Sequence, residues 1–181
     1  MNNNGKLIGN RFLDEKTIRL YKYYRNGRRG DKTLIYRTDI IRKYPQYPVF
    51  RNERFVPLGT KYMMIDQDFE LLVLNVPVCV VEYMSDGSTM NIFRQYFNNP
   101  NGFAYARRVH MKYGKGACYR FKEAIHYVSS CIQAKKKRFL RESPKKITTI
   151  LATPFGLYLW FSVGHRYRKQ KRQDRLEHDS V

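Results

Sequence analysis

Cysteine is scarce in this sequence and forms no recognisable motif. Cys79, Cys118 and Cys131 are an odd number of residues, and none belongs to a Cys-x-x-Cys pair. This argues against a disulfide-stabilised scaffold and a cysteine zinc site, and favours a reducing, cytosolic setting. The N-terminal stretch MNNNGKLIGN has no apolar core, so we expect no secretory signal.

Motifs for phosphate or metal binding are also lacking or out of context. Gly30-Asp31-Lys32 lacks the glycine spacing of a phosphate-binding loop, and His110 and His126 lie too far apart to suggest a ligand pair. Asp66-Gln67-Asp68 has the DxD pattern that can bind Mg²⁺ or Mn²⁺ with a diphosphate. However, it follows a predicted helix instead of ending an apolar strand, which favours a turn with an aspartate cap.

Acidic residues are few, whereas basic and aromatic residues are abundant. The chain has 15 Asp and Glu against 35 Lys and Arg, a formal charge of +20. Such a charge attracts nucleic acid, anionic lipid or phosphorylated substrates without choosing among them. The 15 tyrosines and 11 phenylalanines suit half-wet surfaces such as sugar sites and membrane interfaces. The basic run Lys135–Arg138 fits a solvated face, a lipid surface or nucleic acid.

Hydrophobic spacing predicts a single domain of mixed α and β structure, with helices dominating after Ser88. Helices are predicted over 18–24 with Asp14 as N-cap, over 38–44 with Thr38 as cap, and over 61–66, 88–97, 103–113 and 117–134. Strands are predicted over 33–37, 69–74 and 78–83. The tail from Gly164 is expected to fray.

An uncharged run of 17 residues occupies 147–163. It is shorter than the roughly 20 residues that a spanning helix needs, and it contains Pro154 and Gly156. Tyr158 and Trp160, with cations on both sides of the run, suit a segment lying in the membrane interface. A buried C-terminal helix, an interfacial segment and a spanning helix all remain open.

Several short motifs follow one another in a fixed order along residues 1–113. They are Gly30-Asp31-Lys32, Tyr36-Arg37-Thr38-Asp39, Lys43-Tyr44-Pro45, Glu53-x-Phe55-Val56-Pro57, Glu82-Tyr83, Asp86-Gly87-Ser88-Thr89 and Asn98-Asn99-Pro100-x-Gly102-Phe103. In this order they resemble the family 2 glycosyltransferases of bacteria, which build capsular, cell-wall and surface polysaccharides.

The resemblance implies an α+β or α/β fold, the C-terminal part of a Rossmann-like GT-A domain followed by a helical region. Residues 1–113 would form the acceptor-side half of the transferase domain. Residues 114–163 would be a helical extension that could contact a membrane, and 164–181 a basic tail. The donor-binding half, with its metal-holding DxD, would lie upstream of Met1.

The resemblance also implies the site residues. Glu53 would be the catalytic base or an acceptor contact, although an ion pair with Arg51 or Arg54 is the competing interpretation. Further substrate contacts are expected from Asp31, Lys32, Arg54, Glu82 and Asp86, of which Glu82 and Asp86 could instead hold a turn. The Mg²⁺ or Mn²⁺ of the family would be bound by ligands outside this chain. Related sequences carry a second acid where Leu58 stands here, so we expect this chain alone to be inactive.

The expected function is transfer of a sugar, a hexosyltransferase-like reaction with inversion, from a nucleotide sugar to a lipid-linked or polysaccharide acceptor. It would take place in the cytoplasm, at the inner face of the cell membrane. The expected partners are the two substrates, an anionic membrane surface, and a donor-binding half or full-length transferase. A non-catalytic transferase subunit is one alternative. A nucleic-acid-binding module is the other, less favoured because the charges are spread along the chain.

Overall fold

The computed structural model describes residues 8–12, 15–25, 30, 32–82 and 92–178, which are mainly helical. The strands are β1 (Thr17–Ile18) and β2 (Leu71–Leu72), and the helices are α1 (Leu20–Arg25), α2 (Thr38–Ile41), α3 (Gly59–Asp68), α4 (Ile92–Asn98), α5 (Pro100–Tyr113), α6 (Ala117–Gln133), α7 (Phe139–Glu142) and α8 (Lys146–His178). The chain forms two compact units. Unit 1 comprises 1–46 and 61–90, and unit 2 comprises 47–60 and 91–181.

Unit 1 contains the two strands, which pair antiparallel. Thr17 lies opposite Leu72 and Ile18 opposite Leu71. The amide of Val73 donates to the Lys16 carbonyl at 3.0 Å and continues this short ladder. Buried side chains around it come from β1, α1 and α3, namely Ile18, Leu20, Tyr23, Met63, Met64 and Ile65. These large apolar side chains supply the small core of unit 1.

Unit 2 is built on α5, α6 and α8. Its buried cluster comprises Ala104, Met111, Ala124, Tyr127, Cys131 and Ala152. One alanine on each of the three helices allows their backbones to approach closely, and Gly156 of α8 faces the Val128 side chain of α6. The core therefore lies between helices packed through small residues, with Tyr127 and Met111 filling the space between them.

Several predicted elements are confirmed, with their ends shifted. The helices predicted over 61–66, 103–113 and 117–134 correspond to α3, α5 and α6. α3 begins at Gly59, before its predicted start at 61. α5 begins at Pro100, a residue whose missing N–H costs nothing in the first helical turn. At α2 the cap position is Arg37, and Thr38 is the first helical residue, not its cap.

The strand predictions are largely wrong for the described residues. Only Leu71–Leu72 of the predicted strand 69–74 forms one, and 33–37 and 78–82 form none. A strand needs a neighbour to pair its backbone groups, and among the described residues these segments have no such neighbour. The predicted fraying from Gly164 is also wrong, since α8 continues to His178. Residues 14 and 83–91, on which other predictions fall, lie outside the described residues.

The domain boundaries predicted at 113 and 163 both fall inside unit 2. α5 ends at Tyr113 but packs directly on α6, so the helical extension is continuous with α5 in one core. The assignment of 1–113 to a GT-A half-domain stays a prediction.

Candidate functional site

The candidate site in unit 2 is built on Glu53, whose carboxylate lies at the N-terminus of α5. Its Oε1 accepts hydrogen bonds from the backbone amide of Asn101 at 2.9 Å and from Asn101 Nδ2 at 2.7 Å. Its Oε2 accepts from the Gly102 amide at 2.8 Å. A helix leaves its first amides unpaired and carries a partial positive charge there, so a carboxylate is stabilised at this position. No ion pair of Glu53 with Arg51 or Arg54 forms among the described residues.

Asn99 holds the same loop from the other side. Its Oδ1 accepts from the backbone amides of Arg54 and Phe55, at 2.9 and 3.1 Å. Its Nδ2 donates to both the carbonyl and the side-chain oxygen of Gln95, at 2.9 and 3.0 Å. Asn99 is buried, so each of these bonds replaces one that water would otherwise make. We call this reciprocal arrangement of Glu53 and Asn99 the loop clamp.

Gly102 and Phe103, which follow Asn99 in α5, explain how closely the loop approaches this helix. A Cβ at Gly102 would overlap the carbonyl oxygen of Phe55, so only glycine allows the two backbones to touch. The Phe103 ring packs against the Phe55 ring with centroids 5.7 Å apart. The structure therefore brings together two motifs of the family resemblance, 53–57 and 98–103, that lie more than forty residues apart.

The loop clamp fixes a backbone from which polar side chains project. Arg54 is bonded through its backbone amide, while its side chain is exposed. Leu58 is also exposed, and its carbonyl accepts from the Tyr47 hydroxyl at 2.8 Å. Asn52 has a φ of 62°, a left-handed conformation that asparagine tolerates better than most residues. An exposed guanidinium on a fixed loop is suited to binding phosphate or sugar hydroxyl groups.

The remaining predicted site residues belong to unit 1 or lie outside the described residues. Lys32 Nζ donates to the Asn10 carbonyl at 2.7 Å and lies 5.3 Å from the centroid of the Phe12 ring. Glu82 is exposed at the end of the described segment. Asp31 and Asp86 lie outside the described residues. The structure thus joins Glu53 and Arg54 on one loop and places Lys32 and Glu82 in the other unit.

Unit 1 has a cleft of about 730 Å³, and Lys32 lies on its wall. The other lining residues are mostly apolar and include Ile8, Phe12, Leu34, Ile40, Phe69 and Leu74. This volume is within the range of pockets for small molecules or for part of a lipid chain.

One row of apolar side chains in unit 1 is left uncovered. It consists of Leu72, Leu74, Val76, Val78 and Val80, which are 54–83% exposed. Alternate residues of an extended segment share one face. The row therefore has the sequence pattern of one strand face. The structure forms no strand beyond Leu72, the chain bends at Val76, residues 74–80 are all exposed, and nothing among the described residues covers the row. We call it the apolar row.

The DxD residues do not fit a metal site. Asp66 is buried and accepts from the amides of Leu20 and Tyr21, at 2.6 and 3.1 Å, so it caps α1. Burial raises the pKa of Asp66 despite these hydrogen bonds. Asp68 accepts from the Tyr44 hydroxyl at 2.6 Å. The two carboxylates serve different contacts, and no group of three metal-binding side chains occurs among the described residues. The predicted turn is wrong, because Asp66–Asp68 forms the end of α3, whereas the predicted aspartate cap is present as Asp66 on α1.

A buried charged cluster joins α5 and α6. Glu123 Oε2 pairs with Arg107 Nη1 at 2.9 Å and with His110 Nδ1 at 3.3 Å. Burial opposes ionisation of Glu123, but the hydrogen bond from His110 and the charge of Arg107 prevail and lower its pKa to about 2. Burial, aided by the charge of Arg107, lowers the pKa of His126 to about 4. The atoms Arg107 Nε and His110 Nε2 are buried and have no hydrogen-bond partner among the described residues, and the ion pairs of this cluster join α5 to α6.

Sequence reasoning missed Asn99 and the buried role of Glu123. Asn99 had a signal, since an asparagine before a proline commonly precedes a helix, but its partners lie far away in the sequence.

Comparison of the chain with protein-family models, with curated proteins and with solved structures gave no match. The glycosyltransferase assignment therefore depends on the order of the motifs and stays a prediction.

Proposed function

We propose that this chain is the acceptor-binding part of a family 2 type glycosyltransferase, which is complete only when a donor-binding half packs against unit 1. The observation that carries the proposal is the apolar row, Leu72 to Val80, exposed on a segment that pairs with β1 only over 71–73 and has no strand partner beyond it among the described residues. An uncovered apolar segment with a strand-like sequence invites pairing and aggregation, and natural proteins rarely leave one open.

The energetics favour a partner that covers the row. Burying one large apolar side chain contributes roughly 1.5–3 kcal/mol. Five such residues can offset an association cost on the order of 4–15 kcal/mol. Added backbone pairing along 73–82 makes a sheet-forming partner more favourable than a flat one. A Rossmann-like half with an open sheet edge has this form.

The loop clamp supplies the acceptor contact in this proposal. Arg54 presents its guanidinium from a loop held by Glu53 and Asn99, and it binds the phosphate or hydroxyl groups of a lipid-linked or polysaccharide acceptor. Glu53 positions that loop, because both of its oxygens are engaged with the amides of α5. With Leu58 in place of a second acid, we assign this chain acceptor binding and no independent turnover.

The test separates acceptor binding from nucleotide-sugar binding. The full chain is mixed with glycans released from bacterial envelope glycolipids, free of lipid, and binding is followed by saturation-transfer NMR. Nucleotide sugars are measured in parallel for binding and hydrolysis. We expect glycan binding, no nucleotide-sugar hydrolysis, and binding about tenfold weaker in Arg54→Ala, which removes a charged hydrogen bond.

Arg51→Ala is the matched control, since Arg51 is an exposed arginine three residues away. It is expected to bind glycans like the unaltered chain. Hydrolysis of nucleotide sugars by the chain alone contradicts the proposal, as does the absence of glycan binding. A salt-sensitive shift of RNA without glycan binding supports the nucleic-acid module instead.

A further inference from the structure

Side-chain size is distributed unusually around α8. The exposed side of the helix carries large apolar residues that are 48–77% exposed, namely Ile147, Ile150, Leu151, Phe155, Leu157, Tyr158 and Phe161. The buried side carries small ones, namely Thr149, Ala152, Gly156 and Gly164. A helix in a water-soluble protein normally turns its large apolar residues inward. Here the arrangement is reversed, as in helices that pack through small residues and face lipid with large ones.

The buried side of α8 is tied to unit 2 along most of the apolar run. Gly156 lies against Val128 so closely that an added Cβ would come within 2.5 Å of the Val128 Cβ. Trp160 Nε1 donates to Gln133 Oε1 at 2.9 Å. Further along, the Tyr167 ring stacks on the Phe97 ring with centroids 4.4 Å apart. These contacts fix which side of α8 is left for another partner.

The exposure of α8 decides between the three interpretations of residues 147–163. The stretch Lys146–Lys169 is long and apolar enough to cross a membrane, and its most apolar part is only 22% buried. This argues against a fully buried C-terminal helix, although Thr149 and Ala152 are buried in unit 2. Spanning would either break the contacts of Gly156 and Trp160 with α6 or carry Lys122 and Glu123 of α6 into the hydrocarbon. A helix lying flat in the interface keeps every contact.

Charge indicates what covers the exposed side. Exposed cations flank the apolar run at both ends, with Lys145 and Lys146 before it and Arg166, Arg168 and Lys169 after it. No Asp or Glu occurs between Ser143 and Lys171. Anionic phospholipid headgroups match such a pattern, whereas a second copy of this chain, also at +20, would bring like charges together.

We infer that the exposed side of α8, from Ile147 to Phe161, is a membrane-docking surface that lies flat in the headgroup region of an anionic bilayer. The large apolar side chains enter the upper acyl region, and the flanking lysines and arginines contact the headgroups. α6 and the rest of unit 2 stay on the aqueous side. The residues of this surface belong neither to the loop clamp nor to the apolar row, so the inference does not depend on the proposed function.

Vesicle flotation of the full chain tests this docking. We expect the chain to float with vesicles of phosphatidylcholine and phosphatidylglycerol, and to bind phosphatidylcholine alone much less. The double variant Leu151→Gln/Phe155→Gln is expected to partition at least about tenfold more weakly. Val49→Gln is the matched control, because Val49 is an exposed apolar residue of the same unit outside α8. Circular dichroism shows that each variant is folded.

The single tryptophan of the chain reports the depth of α8. With brominated lipids, we expect Trp160 to be quenched by bromine near the headgroups and hardly by bromine near the chain ends. Quenching from the bilayer centre contradicts the flat orientation. Equal flotation of the double variant and of Val49→Gln contradicts the docking surface. It is also contradicted if the chain does not bind anionic vesicles and instead forms a dimer that the α8 substitutions weaken.

Discussion

The Glu53 side chain binds backbone amides that follow Asn99, and the Asn99 side chain binds backbone amides that follow Glu53. The Glu53 carboxylate accepts from the amides of Asn101 and Gly102, while the Asn99 side chain accepts from the amides of Arg54 and Phe55. The arrangement works like a capping box extended over two distant segments, because each side chain satisfies amides that would otherwise be unpaired. A carboxylate expected to do chemistry thus has a measurable structural role.

Removing the Glu53 carboxylate should destabilise unit 2. We expect Glu53→Ala to lower the free energy of unfolding by about 1–3 kcal/mol, since it leaves amides at the start of α5 without partners. Glu53→Gln should cost less, because its amide oxygen can still accept. Chemical denaturation followed by circular dichroism measures both variants. Arg51→Ala is the control and should stay within about 0.5 kcal/mol of the unaltered chain. An Ala variant as stable as the control contradicts the loop clamp.

The two halves of the clamp should be coupled. Asn99→Ala removes hydrogen bonds to the loop and to Gln95 and should cost about 2 kcal/mol. Once one substitution has released the loop, the second substitution removes hydrogen bonds that no longer stabilise it, so it lowers the unfolding free energy less. We therefore expect the double variant Glu53→Ala/Asn99→Ala to be less destabilised than the sum, by roughly 0.5–3 kcal/mol. A double-mutant cycle of unfolding free energies measures this coupling, and strict additivity argues that the two side chains act independently.

Stability should fall in acid in two steps, set by the charged cluster. Burial and the charge of Arg107 lower the pKa of His126 to about 4. As the pH falls, His126 is therefore protonated in the unfolded chain before it is protonated in the folded one. Stability from this residue is complete above pH about 6.5 and is lost as the pH falls towards about 4. Glu123, with its pKa lowered to about 2, contributes stability above pH about 4.5 that is lost at lower pH.

His126→Gln isolates the first of these steps. Gln carries no titratable proton, so the loss of stability between pH about 6.5 and 4.5 should shrink, by roughly 1–2 kcal/mol after allowance for partial exposure. Denaturation midpoints at several pH values measure the change. The matched control is His165→Gln, because His165 is an exposed histidine on α8. A profile that is the same in both variants removes His126 as the cause.

The sequence was informative where local spacing decides structure and uninformative where distant partners do. The periodicity of Phe103–Tyr113 and of 117–134 predicts α5 and α6 because a helix makes its hydrogen bonds within itself. Segment 78–82 has strand-like residues, yet strands form only with a partner, which no local pattern supplies. The clamp joins Glu53 to Asn101 across 48 positions, beyond any local rule. The sequence shows the uncharged run of α8. It does not show which side of this helix is exposed, because that is set by the packing of Gly156 on α6.

The fit of Gly156 against α6 gives a paired prediction on one helix. Alanine is intrinsically better than glycine in a helix by about 1 kcal/mol, so an unobstructed Gly→Ala change stabilises. At Gly164 the nearest atoms to an added Cβ are those of the Phe97 ring at 3.7 Å, an ordinary contact. Gly164→Ala should therefore raise the unfolding free energy by up to about 1 kcal/mol.

At Gly156 the same change should have the opposite sign. The added Cβ would meet Val128 Cβ at 2.5 Å, and the overlap should cost about 1–3 kcal/mol, more than the helix propensity returns. Removing the facing side chain tests the cause, because Val128→Gly removes both the Cβ at 2.5 Å and the Cγ1 at 2.6 Å from the added Cβ. We expect Gly156→Ala to be less harmful in that background, as measured by thermal or chemical unfolding. If Gly156→Ala and Gly164→Ala are equally stabilising, α8 does not pack on α6 through its small residues, and its large apolar side is not fixed outward.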